Sequence, residues 1–257
     1  MAKKKSKAVD ERQSIIDILT FTGDAFPYNE KYSFEQSTVK DAISNPAYNI
    51  ALLPFTLTTD YFIEKDATIR STLDGFFRVD KTTGKYLFEQ DGIPLLSYLI
   101  IGIKYFFKTE NVNIGRGDVI IVDDSFTITR NNFEDIADII TQMNGRERVK
   151  KLVPPENLND AQREIWVKTM KGRKRKAEKD SMTMMDIINI VIHFGESYNY
   201  KAVMDLTILQ LYNTFSVLMK KDRFNRFYSI YSSGQFNIKD MEDHWVTTIS
   251  KKYISKS

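Results

Sequence analysis

The chain has no cysteine. Disulfides, iron–sulfur clusters, thiolate zinc sites and cysteine nucleophiles are therefore excluded, and the usage fits a reducing compartment. Histidine is nearly absent too. His193 and His244 are the two present, and neither has a metal-ligand partner at helical spacing, so a histidine-based zinc site lacks ligands. His193, at the end of an apolar helical stretch, reads as structural. There is no Walker loop and no Ser-His-Asp order. Long hydrophobic runs are also missing. The most apolar stretch, 93–107, holds Pro94, Gly102 and Lys104 and falls short of the roughly 20 residues that span a bilayer. It reads as core. The basic start, Met1 to Lys7, leads into no apolar segment, so no secretory leader is expected. These absences predict a protein that is not an enzyme, with no catalytic residues, no metal ligands, no cofactor and no place in a membrane.

What is present is apolar and charged. Hydrophobic residues make up 42% of 257 residues, with 17 Phe and 13 Tyr, which is enough for a real core. The net charge of +3 hides a split. Residues 1–145 carry 16 Lys and Arg against 21 Asp and Glu, whereas 146–257 carry 21 against 13. Such asymmetry predicts two modules that face different neighbours, or each other.

The pattern of elements predicts an α+β fold, with a mixed N-terminal part built on antiparallel hairpins and an all-helical C-terminal part. Residues 1–9 read as a disordered basic tail, 10–145 as an acidic α+β domain, 146–158 as a linker marked by Pro154 and Pro155, and 159–257 as a basic helical domain. Within the first domain, Asp10 to Leu19 suits a short helix or the lead into a strand. Ser37 to Ile43 suits a helical turn ended by Asn45 and Pro46, and Ile50 to Ile63 suits helix or strand. Residues 76–90 read as a hairpin, with Gly84 supplying a positive φ in the turn. Ile93 to Phe107 is too long for a typical strand and predicts a buried helix. Val119 to Val122 and Phe126 to Ile128 are strands joined by a turn at Asp123, Asp124 and Ser125. A helix follows, capped at Asn131 or Asn132 and ended by Asn144 and Gly145, with Phe133, Ile136, Ala137, Ile139 and Ile140 as its apolar face.

In the second domain one helix is expected from Asn159 to Met170, interrupted or ended at Gly172. A second starts near Thr183, with Asp186 in capping-box spacing, and reaches His193. A third carries Met204, Ile208, Leu211, Phe215 and Leu218 as a single apolar stripe. Gly234 marks a turn, and Asp240 to Ile249 suits a last short helix.

Few motifs carry chemistry. Lys168 to Lys179 holds seven positive residues, Lys168, Lys171, Arg173, Lys174, Arg175, Lys176 and Lys179, against one acid, Glu178. Such a run can neutralise phosphates. It also suits a solvated segment or a patch that docks on an acidic protein, and no aromatic lies inside it to stack a base. Gly115 to Asp118 contains a Gly-x-Gly without a third glycine or an opening helix, so it reads as a turn before a strand. Adjacent acids such as Asp123 and Asp124 usually face water in a hairpin turn, and Glu134, Asp135 and Asp138 read as a helix's solvent face. Trp245 reads as a packing anchor, or as an interface hot spot.

Four stretches together resemble a group of phage proteins found among the tail genes of large phages of low-GC hosts. The first is Ser37 to Asp41 followed by Tyr48 to Phe55. The second is Ile128 and Thr129, then Asn132 to Ile136 leading to Gln142 to Gly145. The third is the basic Gly172 to Lys174. The fourth is Ser197 to Asn199, then Asp205 to Asn213 and Phe215, ending at His244 and Trp245. The resemblance implies a role in tail or baseplate assembly, as a virion component or an assembly chaperone. It implies other tail or baseplate proteins, or a second copy, as partners, and a place in the host cytoplasm during assembly or in the virion. Tyr198, Gln210, Tyr212 and Trp245 are the candidate interface, because polar groups on large aromatic bodies suit an adaptable contact. The alternative is a nucleic-acid-binding protein that uses the basic patch.

Overall fold

A computed structural model of the chain describes residues 12, 14–146, 148, 159–179, 182–195, 197–233 and 244–246. Within the helix over 160–179, the side chains of 160, 171 and 173–179 fall outside that set. The tail expected at 1–9 and the linker expected at 146–158, Arg146 and Arg148 apart, lie outside the described residues. So do the turn expected at Gly234 and most of the last helix expected at 240–249. The fold is α+β, with short antiparallel hairpins in the N-terminal half and helices in the C-terminal half.

Residues 14–22 form α1, with Ile16, Leu19 and Thr20 turned inward, so helix wins over strand for this stretch. Strand β1 (Phe26–Pro27) pairs with β2 (Ser33–Phe34). Helix α2 (Val39–Ser44) begins at Thr38, whose hydroxyl accepts from the Asp41 N–H, and stops at Asn45 ahead of Pro46, as the sequence predicts. The ambiguous stretch after it is helical, as α3 (Ala47–Thr56) and α4 (Thr59–Ile63).

The hairpin expected over 76–90 shrinks to one bridge, between Val79 and Tyr86, around a turn where Gly84 has φ 68°. Phe76 and Phe77 belong instead to α5 (Thr72–Phe77), because Ser71 caps it by accepting from the Asp74 N–H. That helix carries Phe76 into the core beside Phe62, with ring centroids 5.1 Å apart, and Phe62 in turn meets Phe88 at 4.8 Å. Strands β3 (Glu89–Gln90) and β4 (Ile93–Pro94) form a small hairpin. It leads into the expected buried helix, α6 (Leu95–Phe107).

Helix α6 lies against α3, and Gly102 sets how close the two come. A Cβ at Gly102 would sit 2.5 Å from the Ala51 carbonyl oxygen and 2.7 Å from Phe55 Cε2. Backbone cannot retreat as a flexible side chain can, so Gly102→Val is expected to cost about 3 kcal/mol through overpacking. A urea midpoint equal to the parent's would show that the helices do not meet here. Strands β5 (Val112–Gly115), β6 (Val119–Val122) and β7 (Phe126–Ile128) form an antiparallel sheet, with Val122 opposite Phe126 across the expected turn. Helix α7 (Phe133–Met143) then buries the predicted face, Phe133, Ile136, Ala137, Ile139 and Ile140, partly against α3.

The C-terminal helices depart from expectation twice. Helix α8 (Asp160–Lys179) passes straight through Gly172. A single glycine costs a helix only about 1 kcal/mol, which its strong helix formers absorb. Helix α9 (Met184–Phe194) follows, with the expected capping box of Thr183 and Asp186. The single stripe from Met204 to Leu218 is divided. Met204 lies in α10 (Tyr200–Asp205), and α11 (Ile208–Ser232) starts afresh at Thr207 with its own capping box to Gln210.

The break at Thr207 joins the two halves. Both N-cap residues, Thr38 and Thr207, are extended, with ψ of 161° and 158°, so their flanking backbone groups are free to pair across the chain. The Val39 N–H donates to the Leu206 carbonyl at 2.8 Å, and the Ile208 N–H donates to the Ser37 carbonyl at 3.0 Å. The starts of α2 and α11 thus form an antiparallel bridge. Around it one cluster of buried residues draws Ile187, Ile188, Val191, Val203, Ile208 and Leu211 into the core built by α2, α3, α6 and α7. The sequence left open whether the halves share a core; they do. Thr207→Ala removes the cap acceptor and is expected to cost about 1 kcal/mol, whereas Thr207→Ser retains stability, as read by chemical denaturation.

Candidate functional site

The feature that stands out from this frame is a groove between α9 and α11. The inward faces of these helices carry Ile187, Ile188, Val191, Ile208 and Leu211 into the core. Further out, Met182, Ile190 and Phe194 face Leu218 and Met219 across an open cavity of about 200 Å³. Phe194 is 61% exposed, Met182 50% and Met219 37%. Met185, also exposed, lies on the same helix as Phe194. Methionine is flexible and polarisable, and surfaces rich in it adapt to varied apolar partners. The rim is charged, because Arg226 bonds Asp222 at 2.9 Å, one turn apart on α11. That partly exposed pair contributes little stability.

Met182, on the groove wall, directly precedes the cap of α9. The Thr183 hydroxyl and backbone N–H both donate to Asp186, and they hold its carboxyl below the usual value of 3.8. A carboxylate with a depressed folded pKa contributes stability above about pH 4 and loses it as the pH falls through the depressed value. The first turn of α9 is therefore expected to open in acid, with a lower amide protection factor at Asp186. Asp186→Asn should lack this pH dependence, and an unchanged profile in that variant would contradict the assignment.

None of the four interface candidates lines the groove. Gln210 closes the α11 capping box, and its amide also donates to the Phe21 carbonyl at 3.2 Å. Tyr212 packs on Gly145, where φ is 63° and a Cβ would lie 2.3 Å from the ring. That close approach, together with the positive φ, accounts for a glycine after Asn144. Tyr198 is half-buried beside Gly195 between α9 and α10. Trp245 is half-buried next to His244, whose ring meets Phe224 at 4.6 Å. His193 is exposed in the last turn of α9. The basic patch of Lys171, Arg173, Lys174, Arg175, Lys176 and Lys179 occupies α8, and their side chains lie outside the described residues.

The acidic pairs are engaged in the fold. Asp123 and Asp124 lie with Ser125 in the turn between β6 and β7, both with positive φ, of 49° and 54°. Asp123 accepts from the Thr109 hydroxyl, and Asp124 accepts from the Asn111 side-chain amide at 3.0 Å. Glu134 and Asp138 hold Arg148, whose side chain is 6% exposed and also donates to the Leu57 carbonyl. Asp135 bonds Arg12 at 2.6 Å. Gly115 to Asp118 is the expected turn, between β5 and β6. Among the described residues no group of three or more His, Asp or Glu is placed to hold a metal ion. No described helix is long and apolar enough to cross a membrane.

Sequence reasoning passed over Met182, Phe194 and Met219. The available signal was the cluster Met182, Met184 and Met185 beside a helix that ends in an aromatic residue. The Tyr48 hydroxyl, donating to Asn144 at 3.0 Å deep in the core, was also passed over, and burial pushes its pKa far up.

Comparison with known proteins places one segment. Residues 174–250 match the family model of the YomV second domain. The matched stretch holds the end of α8, all of α9, α10 and α11, and His244 to Val246, so it contains every residue that lines the groove. No curated protein and no solved structure matches the chain. The matching family is phage-derived, and a match over less than a third of the chain supports a phage protein without specifying tail or baseplate.

Proposed function

We propose that the chain is a non-enzymatic phage tail or baseplate protein, a structural component or assembly chaperone, that works by protein–protein contact through the α9–α11 groove. The observation that carries this reading is an open, methionine-lined apolar groove inside the segment similar to a phage-derived family. Apolar side chains left this exposed on a folded frame suit a partner that covers them. The partner is an apolar segment of another tail or baseplate subunit, flanked by charges that meet Asp222 and Arg226. The resemblance to tail-gene products supports the same reading.

Mass spectrometry of purified particles, combined with deletion of the gene, tests it. Presence in particles with loss of tails on deletion gives the structural version. Absence from particles with loss of tails gives the chaperone version. Normal tails without the protein reject both.

A further inference from the structure

The continuity of α8 puts the basic run to use. A helix ending at Gly172 would scatter Lys168 to Lys179 over a helix end and a loop. The helix instead runs to Lys179, so positions 168, 171, 175 and 179 step by three, four and four and share one face. That stripe is about 16 Å long at the helical rise. A duplex presents on the order of ten phosphate charges over the same length.

The stripe is also costly to the helix that carries it. Like charges three and four residues apart destabilise an isolated helix. One relief within α8 is the pair of Glu164 and Lys168 at 2.9 Å, and Glu178 flanks the stripe. Among its described side chains none is buried, and Trp166, Val167 and Met170 are half-buried. A helix with a basic stripe and no described side chain buried gains from a polyanion laid along it. A regular stripe suits the regular phosphate backbone better than the irregular acids of a protein surface. Base stacking is not provided for, because the stripe carries no aromatic.

We infer that α8 is a nucleic-acid-contacting helix that grips backbone phosphates of duplex DNA through Lys168, Lys171, Arg175 and Lys179, without sequence preference. The site is separate from the groove and does not depend on the tail reading.

The test is fluorescence anisotropy of the full chain with a labelled duplex of mixed sequence. Between about 50 and about 200 mM salt the affinity should fall on the order of 100-fold, as neutralising about four phosphates requires. The variant K168A/K171A/R175A/K179A should bind at least 10-fold more weakly and lose most of the salt slope. Alanine favours helix, so α8 remains formed, which circular dichroism checks. The charge-retaining variant K168R/K171R/K179R should bind as the parent does. Absence of binding at low salt overturns the inference, and so does parent-like binding by the alanine variant. Poly-glutamate that competes as well as duplex at equal charge also overturns it, and would assign α8 to an acidic protein.

Discussion

Phe55→Ala is expected to lower stability by about 4 kcal/mol, and the melting temperature by roughly 10 °C. Phe55 is fully buried where α3, α6 and α7 meet. Its ring lies edge-on to Phe106 at 5.6 Å and stacks with Phe133 at 6.3 Å. Removing it loses the transfer energy of the ring and leaves a cavity that three packed helices cannot close. Phe55→Leu should recover much of the loss. A melting curve for Phe55→Ala that overlays the parent's would mean that this aromatic junction is not the centre of the core.

Leu211→Ala is expected to cost about 3 kcal/mol, and the more telling result is where the loss appears. Leu211 is fully buried in α11, which packs on α2, α7 and α9. If the halves share one core, the variant lowers a single transition that includes the N-terminal sheet. Separate domains would give an unshifted N-terminal transition beside a lowered C-terminal one. Hydrogen exchange at β6 distinguishes the two, because only a shared core makes Ile120 and Val122 exchange faster when Leu211 is cut back.

Much of this frame was legible in the sequence, for local reasons. Helix α6 announces itself by an apolar run too long for a strand, α7 by an apolar face at helical spacing, and α9 by a threonine and an aspartate three apart. Where reading failed, the deciding contact was distant. Phe76, Phe77 and Val79 look like a strand, but the cap at Ser71 and the aromatic contact with Phe62 commit the first two to α5. The stripe from Met204 to Leu218 has flawless helical spacing. It breaks because Leu206 and Ile208 exchange hydrogen bonds with residues 37 and 39, a pairing that no local pattern encodes.

The candidate site was less legible than the fold. Gln210 and Tyr212 suit an interface by their chemistry, yet they bond and pack against the N-terminal half of the same chain. Placing them required knowing that α11 docks beside α1 and the turn at Gly145. The groove was missed for the converse reason. No sequence pattern singles out Met182, Phe194 and Met219 together, and only the packing of α9 on α11 leaves them facing outward. The basic run was visible from composition, but its continuous helical face depended on α8 surviving Gly172.

The proposed working surface in tail assembly is the groove between α9 and α11. The most direct measurement is a tail count by electron microscopy of lysates from phage that carry Phe194→Glu. Phe194 is exposed, so a charge there leaves the core intact while spoiling an apolar dock. The account predicts normal amounts of folded protein with tails reduced at least 10-fold. Tails at parental numbers, with the folded variant present, would contradict it.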